Sequence, residues 1–194
     1  MINRVLLRLR DYEYTNDSDD GDDAFALLTS TTDFDDVGTT TPPVGGPLQN
    51  NEFAGKSVPE IEAFLVENHA KLSEAGVTTG NFIVIDAQCI EEGTAIIFDQ
   101  EYDEETEEMA PRFKKTRIPL EFTWTMFANL DIANMGFEEY CDEDKGDMGD
   151  GWWQWIPFPD DPSTSAREAQ AESTRKADEK REKVMSEMEK AGHI

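Results

Sequence analysis

Three short runs standing close together constrain this chain most: the apolar Asn81–Asp86 (NFIVID) and Thr94–Gln100 (TAIIFDQ), and Phe113–Ile118 (FKKTRI). Each has strand length and is dense in β-branched and aromatic residues. Tight connections favour antiparallel pairing, because a parallel partner needs a crossover of about a dozen residues or more. A further run, Ile2–Arg10, alternates Val5, Leu7 and Leu9 with Arg4, Arg8 and Arg10, and reads as another strand. It reaches Asn81 through two helical segments, so that pair is expected to be parallel with a right-handed crossover.

Helical signals separate these runs. Ser57-Val58-Pro59-Glu60 has the spacing of a capping box, with Ile61, Phe64, Leu65 and Leu72 on one face after it and Gly76 placed to end the helix. In Pro119–Leu130, the residues Leu120, Trp124, Phe127 and Leu130 share a face. The stretch 24–28 follows the Asp-rich segment 16–23 and reads as a short helix, since acidic residues suit a helix N-terminus. A turn and a short helix are expected over 131–142. These elements predict an α/β domain over residues 1–160, with α+β as the variant. It has a mixed sheet of about four strands with helices packed on it. Residues 31–52, rich in Thr, Pro, Gly and Asp without periodicity, read as a mobile loop insertion. Residues 161–194 read as a charged helical tail. Glu172/Lys176 and Glu179/Lys183 are favourable i,i+4 pairs there, and no heptad seam is present, so a solvated helix is expected.

Charge narrows the partners. The formal net charge is −26. Residues 11–110 hold 25 acids against Lys56 and Lys71, a net of −23, whereas 163–194 hold seven acids and seven bases. Such a field repels nucleic acid and anionic membrane surfaces and attracts a basic protein. A solubilising coat accounts for the same composition. No run approaches the roughly 20 apolar residues of a membrane span. With no secretory signal, the two cysteines are expected as free thiols in a reducing compartment, the cytoplasm or the nucleus.

Motifs of catalysis and metal binding fail on spacing. The segment from Asn16 begins like an EF-hand but has Leu27 where the loop needs a bidentate Glu, and 142–153 ends in Trp153. Two histidines, His69 and His193, and two cysteines without a C-x-x-C partner cannot make a zinc site, so neither metal nor cofactor is expected. Cys89 follows a strand end and is a candidate nucleophile, although a buried thiol acting as a small hydrophobe is the plainer reading. Asp86 and Asp99 each end an apolar run. Two carboxylates held close would divide acid and base roles. Trp152, Trp153 and Trp155 lie between Gly-rich and Pro-rich stretches. In an extended segment alternate side chains face opposite ways, so the three indoles either strap the domain or leave one as an interface anchor.

The order of features from Phe82 to Tyr140 carries a resemblance. An apolar strand ending in Asp86 is followed by a second strand, FKKTRIP, Trp124, Asn129-Leu130 and Ile132-Ala133-Asn134-Met135-Gly136-Phe137-Glu138-Glu139-Tyr140. This resembles an uncharacterised domain-of-unknown-function family of bacterial and fungal proteins. The resemblance implies a small α/β domain and no activity. It nominates Asn129 and Asn134 for a role, which capping of the aromatic helix would also satisfy. From charge, the expected function is non-enzymatic binding of a basic partner, of the inhibitor or immunity kind. The alternatives are a carboxylate enzyme near Asp86 and Asp99, or a scaffold domain.

Overall fold

In the computed structural model the described residues are 2–9, 25–34, 37–38, 40, 42–44, 50–157 and 164–193, with backbone only over 164–174. The elements in chain order are α1 (Ile2–Leu9), α2 (Val58–Glu74), β1 (Asn81–Val84), α3 (Ala87–Glu92), β2 (Thr94–Asp103), β3 (Glu108–Pro119), α4 (Leu120–Asp131), a 3-10 turn (Phe137–Tyr140), β4 (Trp152–Trp153) and α5 (Thr164–Lys190). The sheet runs β1-β2-β3-β4. β1/β2 and β2/β3 are antiparallel, as the short connections require, and β4 lies parallel to β3. This is an α/β-type fold with a mixed four-stranded sheet.

Both sheet faces are covered. Ile96, Phe98 and Phe113 lie on one face with Cys89, packed by Phe82 and Val66. Phe82 stacks on Phe98 with ring centroids 4.3 Å apart. Ile97 and Ile118 point the other way, onto Met126, Phe137 and Tyr140. Such central strands read as continuous apolar runs because neither face is wet. Each buried Ile or Phe contributes roughly 1.5–3 kcal/mol relative to exposure.

The first element is a helix, which corrects the strand expected at Ile2–Arg10. Arg4 and Arg8 stand four residues apart and share the exposed face, while Asn3, Val5, Leu6, Leu7 and Leu9 are buried. A run this short fits both periodicities. Leu6 interrupts the period of two, and packing of Val5, Leu6 and Leu9 against Leu120 and Ala95 decides for the helix. The sheet's parallel pair is therefore β3/β4.

Residues 25–30 are not helical either. Their backbone partners lie far along the chain: Thr40 N–H donates to Phe25 O, Leu27 N–H to Thr40 Oγ1 and Glu52 N–H to Thr29 O. Phe25 itself packs on Trp124 and Phe127 of α4, 5.5 and 5.0 Å away. Within the 31–52 stretch, Phe34 is buried against Leu65 and Leu72 of α2, so the insertion is anchored at that point. The Asp-rich segment 16–23 lies outside the described residues.

Helix α2 starts as its sequence indicates. Ser57 N–H and Oγ both donate to Glu60 Oε2, at 2.8 and 2.6 Å. Helix α5 is docked on α1 rather than wholly solvated. Asn3 Nδ2 donates to His193 O at 2.9 Å, Arg4 pairs with Glu189 at 3.0 Å, and Ala177 and Met188 are buried.

Candidate functional site

The residues singled out by sequence fall into separate places. Asp86 is the N-cap of α3. Its carboxylate accepts from Cys89 N–H at 2.7 Å and from both terminal nitrogens of Arg117, at 2.7 and 3.1 Å. The Arg117 guanidinium holds the Asp86 carboxyl well below the usual carboxylate range. Cys89 is fully buried. Arg117 Nη1 lies 2.8 Å from its sulfur, yet burial outweighs that cation and pushes the thiol up. A buried, protonated thiol is a poor nucleophile. The group reads as a capped and ion-paired helix start.

Asp99 stands apart from it. It pairs in register with Asn81, the first residue of β1, whereas Asp86 follows β1's far end. The two carboxylates therefore do not form a pair. Asp99 accepts from Asn81 Nδ2 at 2.7 Å and sits across from Lys114, whose amine is held by Glu138. Burial raises the Asp99 carboxyl.

Trp152 and Trp153 form the sheet's last strand, and Trp155 follows just outside it. Trp152 faces Lys115 and the α2 side. Trp153 faces the opposite side, edge-on to Phe137 at 6.4 Å. Trp155 bridges to Cys141 and lies 5.3 Å from Phe122. All three are half-buried, so the segment closes the domain as a strap. Gly151 makes this possible. Its φ is +77°, and a Cβ there would meet Phe113 O at 2.1 Å. Its carbonyl accepts from Lys115 N–H at 2.7 Å. Asn129 and Asn134 bond each other, Asn134 Nδ2 to Asn129 Oδ1 at 2.7 Å, while Asn129 Nδ2 donates to Thr125 O at 2.7 Å. They close the end of α4.

One buried cation was not visible from sequence. Lys115, in the third run, is 3% exposed. Its amine is 2.5 Å from Glu62 of α2, between the rings of Phe98 and Trp152, each 5.9 Å away. It ties helix, sheet and strap together.

The remaining feature is an arm. β1 pairs with β2 only over Ile96–Asp99, and β4 with β3 only over Lys115–Thr116. The rungs Tyr102↔Met109 and Asp103↔Glu108 continue beyond both neighbours, after a bulge past Gln100. The arm carries Glu101, Asp103, Glu104, Glu105, Glu107 and Glu108 against a single Arg112, which pairs with Glu101 at 3.0 Å. Asp103 Oδ1 accepts from the N–H groups of Glu105 and Thr106 and shapes the turn. Tyr102 is 58% exposed and Met109 48%, directly across from each other. At the arm's base, between α2 and the sheet, lies a cleft of about 160 Å³. Leu65, Val66 and His69 of α2 line it together with Gln100, Met109 and Phe113 of β2 and β3, and Thr79.

With this geometry in hand, comparison with known proteins adds one match. Residues 15–154 match the sequence model of a domain of unknown function, DUF6924, which is well over half of the chain. The chain belongs to the DUF6924 family. Neither a curated protein nor a solved structure shows significant similarity to it. The DUF6924 match includes the whole sheet, the arm and the cleft, and leaves α1 and α5 outside. Among the described residues, no three His, Cys, Asp or Glu are grouped to hold a metal, and no helix is long and apolar enough to cross a membrane.

Proposed function

We propose that this chain is a non-enzymatic binding domain that engages a basic protein through the β2–β3 arm, in the cytoplasm or nucleus. The observation that carries the reading is the arm's composition. Six carboxylates, opposed by one arginine, lie on the same hairpin as an exposed Tyr102–Met109 pair, and that hairpin outruns its neighbours. Exposed aromatic and Met side chains are favoured at interfaces. A one-sign field steers an oppositely charged partner and sets its on-rate. Nucleic acid and anionic membranes are disfavoured by the same field. Catalysis at Asp86 or Cys89 is disfavoured by their engagement in the α3 cap.

The test uses the full chain and a variant with Glu104, Glu105, Glu107 and Glu108 changed to Gln. Affinity purification at low salt should recover proteins of high pI that dissociate as salt rises. The variant should associate with them about tenfold more slowly. Recovered partners of ordinary charge that resist high salt, or an unchanged association rate, would overturn the reading.

A further inference from the structure

The cleft at the base of the arm is too small for a drug-sized ligand. It measures about 160 Å³. Sites for drug-sized ligands run to roughly 300–1,000 Å³, whereas a cavity of roughly 150 Å³ admits a benzene-sized molecule. A single side chain matches that space.

Its lining indicates which kind. Leu65, Val66, Phe113 and Met109 supply an apolar channel. The polar atoms gather elsewhere. His69 Nδ1 and Thr79 Oγ1 hold each other at 2.5 Å. Gln100 Nε2 donates to Ala110 O at 2.9 Å, which leaves the Gln100 carbonyl Oε1 as an acceptor on the lining. Gln100 stands at the root of the arm and Met109 on its outer rung, so the cleft lies on the Tyr102–Met109 face of a hairpin whose turn carries Glu104, Glu105 and Glu107, and a negative field reaches it. An anion is repelled there. A purely apolar group leaves both the field and the acceptor unused. A long aliphatic stem ending in a cation uses the channel, the acceptor and the field together.

We infer that this cleft receives one Lys or Arg side chain of the basic partner. The stem lies against Leu65, Val66, Phe113 and Met109, and the charged head turns toward Gln100 Oε1 and the arm's carboxylates. The inference rests on the arm being a docking surface for a basic protein and narrows it: the arm attracts, and the cleft selects by side chain.

The experiment titrates the full chain with an alternating Arg-Gly decapeptide and with its citrulline counterpart, which keeps the shape and removes the charge. Amide chemical shifts report the location. The Arg-Gly peptide should shift Leu65, Val66, Thr79 and Phe113 saturably along with the arm, and the citrulline peptide should bind at least about tenfold more weakly. Val66→Phe, which fills the cleft, should lose the cleft shifts, keep those of the arm and weaken binding about fivefold. Gln100→Met keeps the volume and removes the acceptor, and should reduce the preference for arginine over citrulline. If the peptide shifts only arm residues and Val66→Phe binds as tightly as the parent, the cleft inference falls while the arm reading stands. If it shifts neither region, both fall. Should the Val66→Phe spectrum lose its dispersion, Gln100→Met decides: an unchanged preference for arginine overturns the cleft's role.

Discussion

Strands β2 and β3 form one ladder, broken by a bulge past Gln100, with two different halves. In the inner half Ile96, Ile97 and Phe98 are fully buried between helices on both faces. In the outer half Tyr102, Glu108 and Met109 face water with no neighbouring strand, as do Glu104 and Glu105 in the turn that joins them. The backbone pairing is shared, so the difference lies in what covers the ladder. Covered rungs are specified by volume and carry the stability of the domain. Uncovered rungs carry little of it, and their side chains are available to a partner.

The contrast is most sharply broken at Phe98. Phe98→Ala should cost about 3–5 kcal/mol in denaturant unfolding, because it opens a cavity under α2. A loss below about 1 kcal/mol would show that the inner half is not the stabilising core. Gly151→Ala follows. Its Cβ would collide with Phe113 O, at a φ that L residues rarely adopt, and should detach β4 at a cost of at least about 2 kcal/mol. Trp152 and Trp153 fluorescence would report the release.

Asp86 sharpens the comparison through pH. Its folded carboxyl titrates lower than the unfolded one, so its contribution is complete above the ordinary Asp value near pH 4 and is lost as pH falls below it. Asp86→Asn keeps a competent N-cap and removes the charge, so it should flatten the acid limb of the stability curve. Asp86→Ala should cost about 1 kcal/mol more at neutral pH. An acid limb identical to the parent's would exclude the Arg117 pair as its source. Asp99 has the opposite sign: burial disfavours its ionised form, so its penalty is present at neutral pH and relieved as pH falls. Smallest of all, the four Glu→Gln changes in the arm should move stability by about 0.5 kcal/mol or less while slowing association with the basic partner.

What the sequence made legible follows the same division. The three buried runs, the capping box at Ser57 and the aromatic helix α4 announce themselves because their periodicity answers to a dry environment. The arm's own sequence, Glu101–Pro111, shows an acidic stretch with no strand periodicity. Glu and Asp are depleted in strands, and its rungs form as an extension of the inner ladder past a bulge that shifts their register, not because their residues prefer it. The N-terminal octapeptide is ambiguous in sequence because eight residues cannot separate two periodicities, and the deciding contact is Leu120, far along the chain. Asp86 and Asp99 looked like partners because both end apolar runs, but only antiparallel registration shows that they sit at opposite ends of β1. The Trp segment's role as a fourth strand depended on Gly151, whose requirement appears only once Phe113 stands beside it.

Lys115 gives the domain an internal clock. An amine sealed between helix, sheet and strap cannot meet an acylating reagent in solution until those layers part. Its labelling rate, set beside that of exposed lysines on the same chain, would count openings of the whole assembly rather than flickers of its surface.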